Sequence, residues 1–365
     1  MIALTLTVTV LAGIAAGLAA LLVLAERYIS NYGECTIDIN NGSRIIVAQG
    51  GKSLLSTLVE QKLFIPSACG GRGTCGYCKV TITEGGGPVL PTEEPFLTKE
   101  ERAAGIRLSC QCKLRNSLKI TIPEELLNVR EFTCIVEHIK PLTHDIREFR
   151  FKLVNPPEIS YIPGQYVQLL TPRYPKSDEE VYRAYSISSD PRDRSVVELV
   201  IRLVPGGICT TYCFEYLKPG DTVRFNGPYG EFRLSNTTAP IIMIAGGSGM
   251  APIKCLLHHM QNEGITRETH YFFGANYVHE LFYLDLLRHF EQTLPNFKFT
   301  PVVAKPETEW PGETGWVTQA VDRICGDLSQ HEAYLCGSPG MIDSAINVLT
   351  AHHMPPHHIF YDKFA

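Results

Sequence analysis

The sequence has no surplus of positive charge. Lys and Arg number 33 against 38 Asp and Glu, a formal net charge of −5, and no basic run is interleaved with aromatics. That excludes the electrostatic footprint of a nucleic-acid binder. Internal repeats and long low-complexity tracts are also absent, so ordinary globular domains are expected. A second CxxC pair is missing: Cys75 and Cys78 form one, and no other pair has that spacing. This weighs against a structural zinc site, which usually takes two such pairs. Finally, Ile2 to Ala25 contains no charged residue, and its only polar side chains are Thr5, Thr7 and Thr9.

That uncharged run is long enough to span a bilayer as a helix, which takes about 20 apolar residues. No Lys or Arg precedes it, as a cleaved signal peptide would require. Residues 1–28 therefore read as a retained single transmembrane helix. Gly13 and Gly17, with Ala16 and Ala20, have the small-residue spacing that lets helices approach closely. The alternative is that such residues are simply common in membrane helices.

What remains is enough for two or three domains at roughly 100–200 residues each. The chain has 365 residues and 12 cysteines. A secreted disulfide framework suits much shorter chains. Residues 34–128 read as short strands, one helix and a glycine- and cysteine-rich loop. "CTIDI" and "RIIVAQG" form a hairpin about Asn40-Asn41-Gly42, and Ser53 is placed to cap the helix "SLLSTLVEQ". Together these suggest a β-grasp fold. Residues 130–236 are strand-rich, bounded by Gly and Pro, with one helical stretch at "TTYCFEYL", and read as an antiparallel β-barrel. Residues 237–365 alternate strands and helices, the mark of an α/β parallel sheet covered on both faces. The expected fold is thus multidomain: transmembrane helix, β-grasp domain, barrel, α/β domain.

Cys69-x5-Cys75-x2-Cys78 with a distant Cys110 is a soft thiolate set suited to a [2Fe–2S] cluster. Gly70, Gly71, Gly73 and Gly76 permit the tight turns that such a loop needs. Cys112 competes with Cys110 for the fourth position. Arg183-x-Tyr185-Ser186 brings together what a flavin needs: a cation for its phosphate, a ring face, and a hydrogen bond near N5. Arg183 and Tyr185 would share one strand face. Gly207, Cys209 and Thr210 then open a helix, whose N-terminus suits a pyrophosphate; a plain helix cap is the alternative. Gly246-Gly247-Ser248-Gly249-Met250-Ala251-Pro252 is a GxGxxP turn between strand and helix, built for phosphate. Cys336-Gly337 repeats that pattern, placing Cys336 at a strand's carboxyl end, where it would face a nicotinamide or fill the core. Phe364 would cover the flavin ring or fray as a terminus. Ala275-Asn276-Tyr277 offers no Arg or Lys to a 2′-phosphate, which favours NADH over NADPH. His352, His353, His357 and His358 read as a solvated loop rather than a metal site.

The motifs "CGGRGTCGYCKV", "GGGPVLPTEE", "RLSCQC", "RAYS", "GPYGEF", "GGSGMAP" and the "DKF" ending resemble ferredoxin–NAD(P) reductase-type proteins fused to a [2Fe–2S] domain. Their order is similar to the F-subunit family of sodium-translocating NADH:quinone oxidoreductases. The x5 gap and hydrophobic N-terminus match that family, whereas soluble oxygenase reductases usually have an x4 gap. The resemblance implies FAD and a [2Fe–2S] cluster, with NADH as substrate. Cys69, Cys75, Cys78 and Cys110 become the cluster ligands, Arg183, Tyr185 and Ser186 the flavin residues, and Phe364 the terminal aromatic. With the turns read above, catalytic roles are expected of Ser186, Cys336 and Phe364, and cofactor contacts of Gly207, Cys209, Thr210, Gly246, Gly247, Gly249, Pro252 and Gly337. The resemblance also implies integral membrane partner subunits, a quinone as eventual acceptor, and soluble domains on the cytoplasmic face of the inner membrane. A reductase for a diiron or Rieske-type oxygenase is the alternative. The stretches between Gly164 and Arg183 and between Ser186 and Gly206 are shorter than that family usually carries.

Overall fold

The computed structural model describes residues 11–19, 21, 32–67, 69–127, 129–307 and 309–363. Residues 11–19 are helical and exposed. Among the described residues, no helix is long and apolar enough to cross a membrane. The rest of the expected anchor, and Phe364, lie outside the described residues. The chain divides into two compact units, Met1–Val129 and Arg130–Ala365.

In the first unit, β1 (Glu34–Ile39) and β2 (Arg44–Gln49) make the expected hairpin. Asn40 and Asn41 take the left-handed conformation at φ of 51° and 53°, which Asn tolerates better than other side chains. β3 (Lys79–Glu84), β4 (Ile106–Leu108) and β5 (Leu118–Thr121) complete a mixed sheet in the order β2-β1-β5-β3-β4. β1 and β5 run parallel, and the other pairs are antiparallel. The helix Leu54–Glu60 starts where Ser53 accepts a hydrogen bond from the Ser56 amide, a cap of about 1 kcal/mol. Its Leu54 and Leu58 are fully buried with Ile37, Ile39 and Leu114; each such side chain contributes roughly 1.5–3 kcal/mol.

In the second unit, β6 (Arg130–Pro141), β7 (Ile146–Asn155), β8 (Tyr166–Thr171), β9 (Val181–Ser186), β10 (Val196–Arg202) and β11 (Thr222–Tyr229) form one antiparallel sheet, β10-β7-β6-β11-β8-β9. A bridge from Ile187 to Leu199 links its two edges and curls it into a barrel. Phe149, Phe151, Val167, Leu199 and Phe225 fill the interior.

β12 (Ile241–Gly246), β13 (Thr269–Ala275), β14 (Phe297–Val303), β15 (Glu313–Thr314), β16 (Glu332–Gly337) and β17 (Ile359–Lys363) make an all-parallel sheet ordered β15-β14-β13-β12-β16-β17. Alternate residues of β12 face opposite layers, as strand geometry requires. Met243 and Ala245 join Leu256, Leu257 and Phe290, while Ile242 and Ile244 join Val321, Ile342 and Leu349. Both faces are covered, so these strands read as continuous apolar runs. The strand order reverses between β12 and β16. Ligands of such sheets bind beyond the carboxyl ends of strands at that point.

Candidate functional site

The cysteine loop follows the helix Leu54–Glu60 and returns to the sheet through β3. Gly70, Gly71, Gly73 and Gly76 all have left-handed φ, from 67° to 88°, a region in which side chains are strained. Sγ of Cys69 lies 3.3 Å from Sγ of Cys75, well beyond a disulfide bond of about 2.05 Å, and every described cysteine is free. The Cys75 thiol donates to Cys69 and holds it down to about 3. Cys78 likewise donates to Cys110, lowering it to about 7. The same bonds, with burial, push Cys75 and Cys78 up. The charge on Cys69 acts on Cys110, so the two pairs form one group: soft sulfurs with two ready thiolates, a donor set that fits an iron–sulfur cluster. Cys112 stands apart. It is buried among Ile37, Leu54 and Leu114, its Sγ is 4.0 Å from the Gly86 carbonyl, and burial raises its thiol.

A buried ion pair ties residues 86–90 to β4, just ahead of Cys110. Arg107 and Glu93 meet at 2.6 Å, with side chains 5% and 0% exposed. Arg107 also donates to the carbonyls of Gly86 and Gly87, and Glu93 accepts from the amides of Leu90 and Leu108. These added hydrogen bonds are what a buried pair needs to repay its desolvation.

In the second unit, β9 carries Arg183, Tyr185 and Ser186. It pairs with β8, placing Ser186 opposite Tyr166. Tyr185 packs on the barrel core. Burial raises its hydroxyl, and the positive charge of Arg183 opposes that rise, so the two residues lie close, as the strand-face reading expects. Gly207 caps the helix Ile208–Glu215, and a Cβ there would lie 2.7 Å from Thr210 Oγ1. The Thr210 hydroxyl bonds the amide and carbonyl of Val204, so it shapes the glycine turn instead of pointing at an anion. Cys209 is buried, its thiol lowered to about 7 chiefly by Cys213, with Tyr185 and Thr171 assisting. The side chains of Cys209 and Thr210 are thus engaged within the protein.

At the sheet's switch point, β12 ends in Gly246 and β16 in Cys336-Gly337. The turn Gly247–Gly249 and the helix Met250–Glu263 follow β12. A Cβ on Gly249 would fall 2.2 Å from the Cys336 carbonyl, so only glycine lets the two turns touch. Pro252 lies in the helix's first turn, where its missing amide is not needed. Cys336 is fully buried, which pushes its thiol well up. Its register partner on β17 is Asp362. Burial raises the Asp362 carboxyl, and the Ser186 hydroxyl pulls it the other way. Ser186 from the barrel and Cys336 and Asp362 from the sheet thus share one place. Sequence reasoning took only Phe364 from the "DKF" ending. An acid on a terminal strand, in register with Cys336, was the signal for Asp362.

A cleft of about 260 Å³ opens over this edge, bounded by Gly246, Gly247, Gly337 and Ser338. Asn276, Glu280 and Trp316 form its far wall, and Thr143, Asp145 and Arg202 of the barrel its near wall. Glu280 Oε2 accepts the amides of Asn276 at 2.9 Å and Tyr277 at 3.4 Å. The two lobes are joined beneath by charge: Lys254 Nζ lies 2.8 Å from Glu198 and 3.2 Å from Glu148, all nearly buried. The histidines near the C-terminus pair locally, His352 with Asp322 and His353 with Asp327.

Three domain families match the chain: the 2Fe-2S iron-sulfur cluster binding domain over residues 37–115, the oxidoreductase FAD-binding domain over 133–234, and the oxidoreductase NAD-binding domain over 243–346. The protein accordingly uses FAD, a [2Fe–2S] cluster and NADH. The crystal structure of Amycolatopsis cytochrome P450 reductase GcoB is similar, with a TM-score of 0.72 at 26% identity, covering 90% of this chain and 98% of that one. The F subunit of the Na(+)-translocating NADH-quinone reductase of Idiomarina loihiensis is 32% identical, covering 95% of each chain. That of Pseudomonas paraeruginosa is 32% identical, covering 98% of each. Similarity of this extent, across all three domains, means that the chain belongs to the family of Na(+)-translocating NADH-quinone reductase F subunits.

Proposed function

We propose that this chain is the electron-input subunit of a membrane NADH:quinone reductase, taking hydride from NADH and delivering electrons singly through FAD and [2Fe–2S] to a membrane acceptor. The observation that carries this reading is the meeting of Ser186, Cys336 and Asp362 at the switch point of the nucleotide sheet. When bound, the flavin supplies the conversion from an electron pair to single electrons. Residues 130–236 would hold it and residues 237–365 the nicotinamide cofactor, with 34–128 carrying the cluster on Cys69, Cys75, Cys78 and Cys110.

Ser186 would donate its hydroxyl hydrogen bond near the flavin N5. Asp362, poised by burial toward its protonated form, would hold or release a proton through that hydroxyl. Arg183 and the amides opening Ile208–Glu215 would bind phosphate oxygens, and Tyr185 would lie along the ring. The turns at Gly246–Gly249 and Gly337 would let the dinucleotide approach the backbone, and Cys336 would sit under the nicotinamide with Phe364 over the flavin. Glu280, held by two amides at the cleft edge, would accept a ribose hydroxyl and repel a 2′-phosphate, favouring NADH.

Residues 1–28 would anchor the chain as one transmembrane helix in the inner membrane, with the folded units in the cytoplasm where NADH is found. Integral membrane partner subunits and a quinone as eventual acceptor belong to the same reading, supported by the likeness to the F subunits. The relatives matched over nearly their full length favour this over a reductase for a diiron or Rieske-type oxygenase. The test is purification from native membranes: recovery with several integral subunits and NADH-driven quinone reduction supports the reading. Recovery of the chain alone, reducing only a soluble oxygenase, sinks it.

A further inference from the structure

The mouth of the nucleotide cleft carries a group of side chains that hydride transfer does not use. His144 stands in the turn between β6 and β7, beside the cleft residues Thr143 and Asp145. Across the opening, His279 and Glu280 lie in the single turn Val278–Glu280 that follows β13. One donor atom from each of His144, His279 and Glu280 lies within 4.8 Å of the other two.

We propose that His144, His279 and Glu280 form a Zn2+ site that bridges the two walls of the cleft and closes it to NADH. Two imidazoles and a carboxylate are a donor set that zinc favours, and they leave a fourth position for water. A second observation points to a metal. His279 Nδ1 lies 3.0 Å from Glu307 Oε2, and a carboxylate on the outer ring nitrogen is the usual partner of a metal-bound histidine. It fixes the tautomer that leaves Nε2 with its lone pair free. The Tyr277 ring, stacked on His279 at 5.5 Å and 6°, holds the imidazole plane.

Glu280 is held in place as well. Its Oε2 accepts the Asn276 and Tyr277 amides, so Oε1 is the oxygen left for the ion. A triangle with no edge longer than 4.8 Å sets its corners at most about 2.8 Å from the centre, against zinc bonds of about 2.0–2.2 Å. Closing that difference takes small rotations. His144 is free to make them, with its side chain 65% exposed.

The kinetic consequence rests on reading the cleft as the dinucleotide site. Glu280 would serve either the ribose or the ion, and a bridged mouth would not admit NADH. Zinc should therefore raise the apparent KM for NADH and leave kcat unchanged.

The test has two readouts on the full chain with both cofactors loaded. Calorimetric titration with ZnCl2 should show one site in the wild type that is lost in His144→Ala and His279→Ala. In Glu307→Gln that site should weaken about tenfold. Steady-state NADH oxidation without zinc should be unchanged in both alanine variants, since neither histidine serves the cofactors. Added zinc should inhibit the wild type competitively with NADH, reversibly by EDTA. Half-inhibition in the variants should need at least about ten times more zinc. Equal zinc binding in wild type and variants would overturn the site and point to the cysteines. Loss of binding in the variants, with wild-type inhibition that NADH does not relieve, would uphold the site but contradict its placement at the dinucleotide mouth.

Discussion

Replacing Lys254 by Met should destabilise the second unit in a way that acid partly repairs. The Lys254 ammonium lies on the helix Met250–Glu263, 7% exposed, against Glu148 of β7 and Glu198 of β10. It also sits 4.8 Å over the ring of Tyr283, whose hydroxyl donates to Glu148. Methionine keeps the stem's packing but leaves two buried carboxylates facing each other. Glu198 retains Arg150 at 2.5 Å; Glu148 retains Tyr283 and the half-exposed His138. Removing one partner of a buried pair costs about 3–5 kcal/mol, or roughly 6–20 °C in Tm for a unit of this size. The pH dependence gives the sharper test. In the wild type, burial pushes the Glu148 carboxyl up, but Lys254, Tyr283 and His138 outweigh it and hold it below its usual value. Its contribution is therefore full above the unfolded pKa and fades as pH falls through the folded one. In the variant burial wins, the folded pKa lies above the unfolded one, and stability rises as pH falls through it. Thermal unfolding at about pH 8 and about pH 5 should show the gap between the two proteins narrowing. Adding Glu148→Gln to the variant should restore most of the loss at about pH 8. A single variant within about 0.5 kcal/mol of wild type, or a gap that widens in acid, would refute the reasoning.

Ser186→Ala should slow NADH-driven flavin reduction on the order of 10–100-fold, the worth of about 1.5–3 kcal/mol of hydrogen bond, with the cluster spectrum intact; stopped-flow absorbance measures it, and a wild-type rate would remove Ser186 from the flavin N5. Glu93→Gln should leave Arg107 buried without its counter-charge, costing about 3–5 kcal/mol. The readout is cluster bleaching on heating, which should begin at a lower temperature while the second unit unfolds as before. Glu332 should contribute to acid lability. Burial raises its carboxyl, yet Ser235, Arg267 and Thr237 together bring it down to about 2. Its roughly 3 kcal/mol should be present above pH ~4.5 and lost between ~4.5 and ~2. Acid unfolding of Glu332→Gln, flatter over that window than wild type, checks it.

Much of the fold was legible because local rules and tertiary packing agree. The turn at Asn40-Asn41, the Ser53 cap and the strand–helix alternation after Ala239 each state their conformation in a few residues. The cysteine loop was legible for the same reason, since its spacing and glycines are local. What the sequence withheld depends on register and on contacts between distant segments. Asp362 meets Cys336 only because β17 pairs with β16 in one particular register. Lys254 meets Glu148 and Glu198 only through the packing of two lobes. Thr210 and Cys209 show the converse: residue types suited to a phosphate turn spend their side chains inward, and the backbone remains. The choice between Cys110 and Cys112 was open on spacing, and burial alone does not make it, since Cys78 is buried in the same core as Cys112; the hydrogen bond between Cys78 and Cys110 is what favours Cys110.

The central claim is that one chain passes electrons from NADH through its flavin to its cluster. Mixing oxidised protein with NADH under anaerobic conditions tests it most directly, following flavin absorbance and the paramagnetic signal of the reduced cluster in wild type and Cys78→Ala. The account predicts that the wild type loses flavin absorbance first and gains the cluster signal afterwards, while Cys78→Ala bleaches its flavin at the wild-type rate and gains no cluster signal. A cluster signal that precedes flavin bleaching, or that persists in Cys78→Ala, would contradict it.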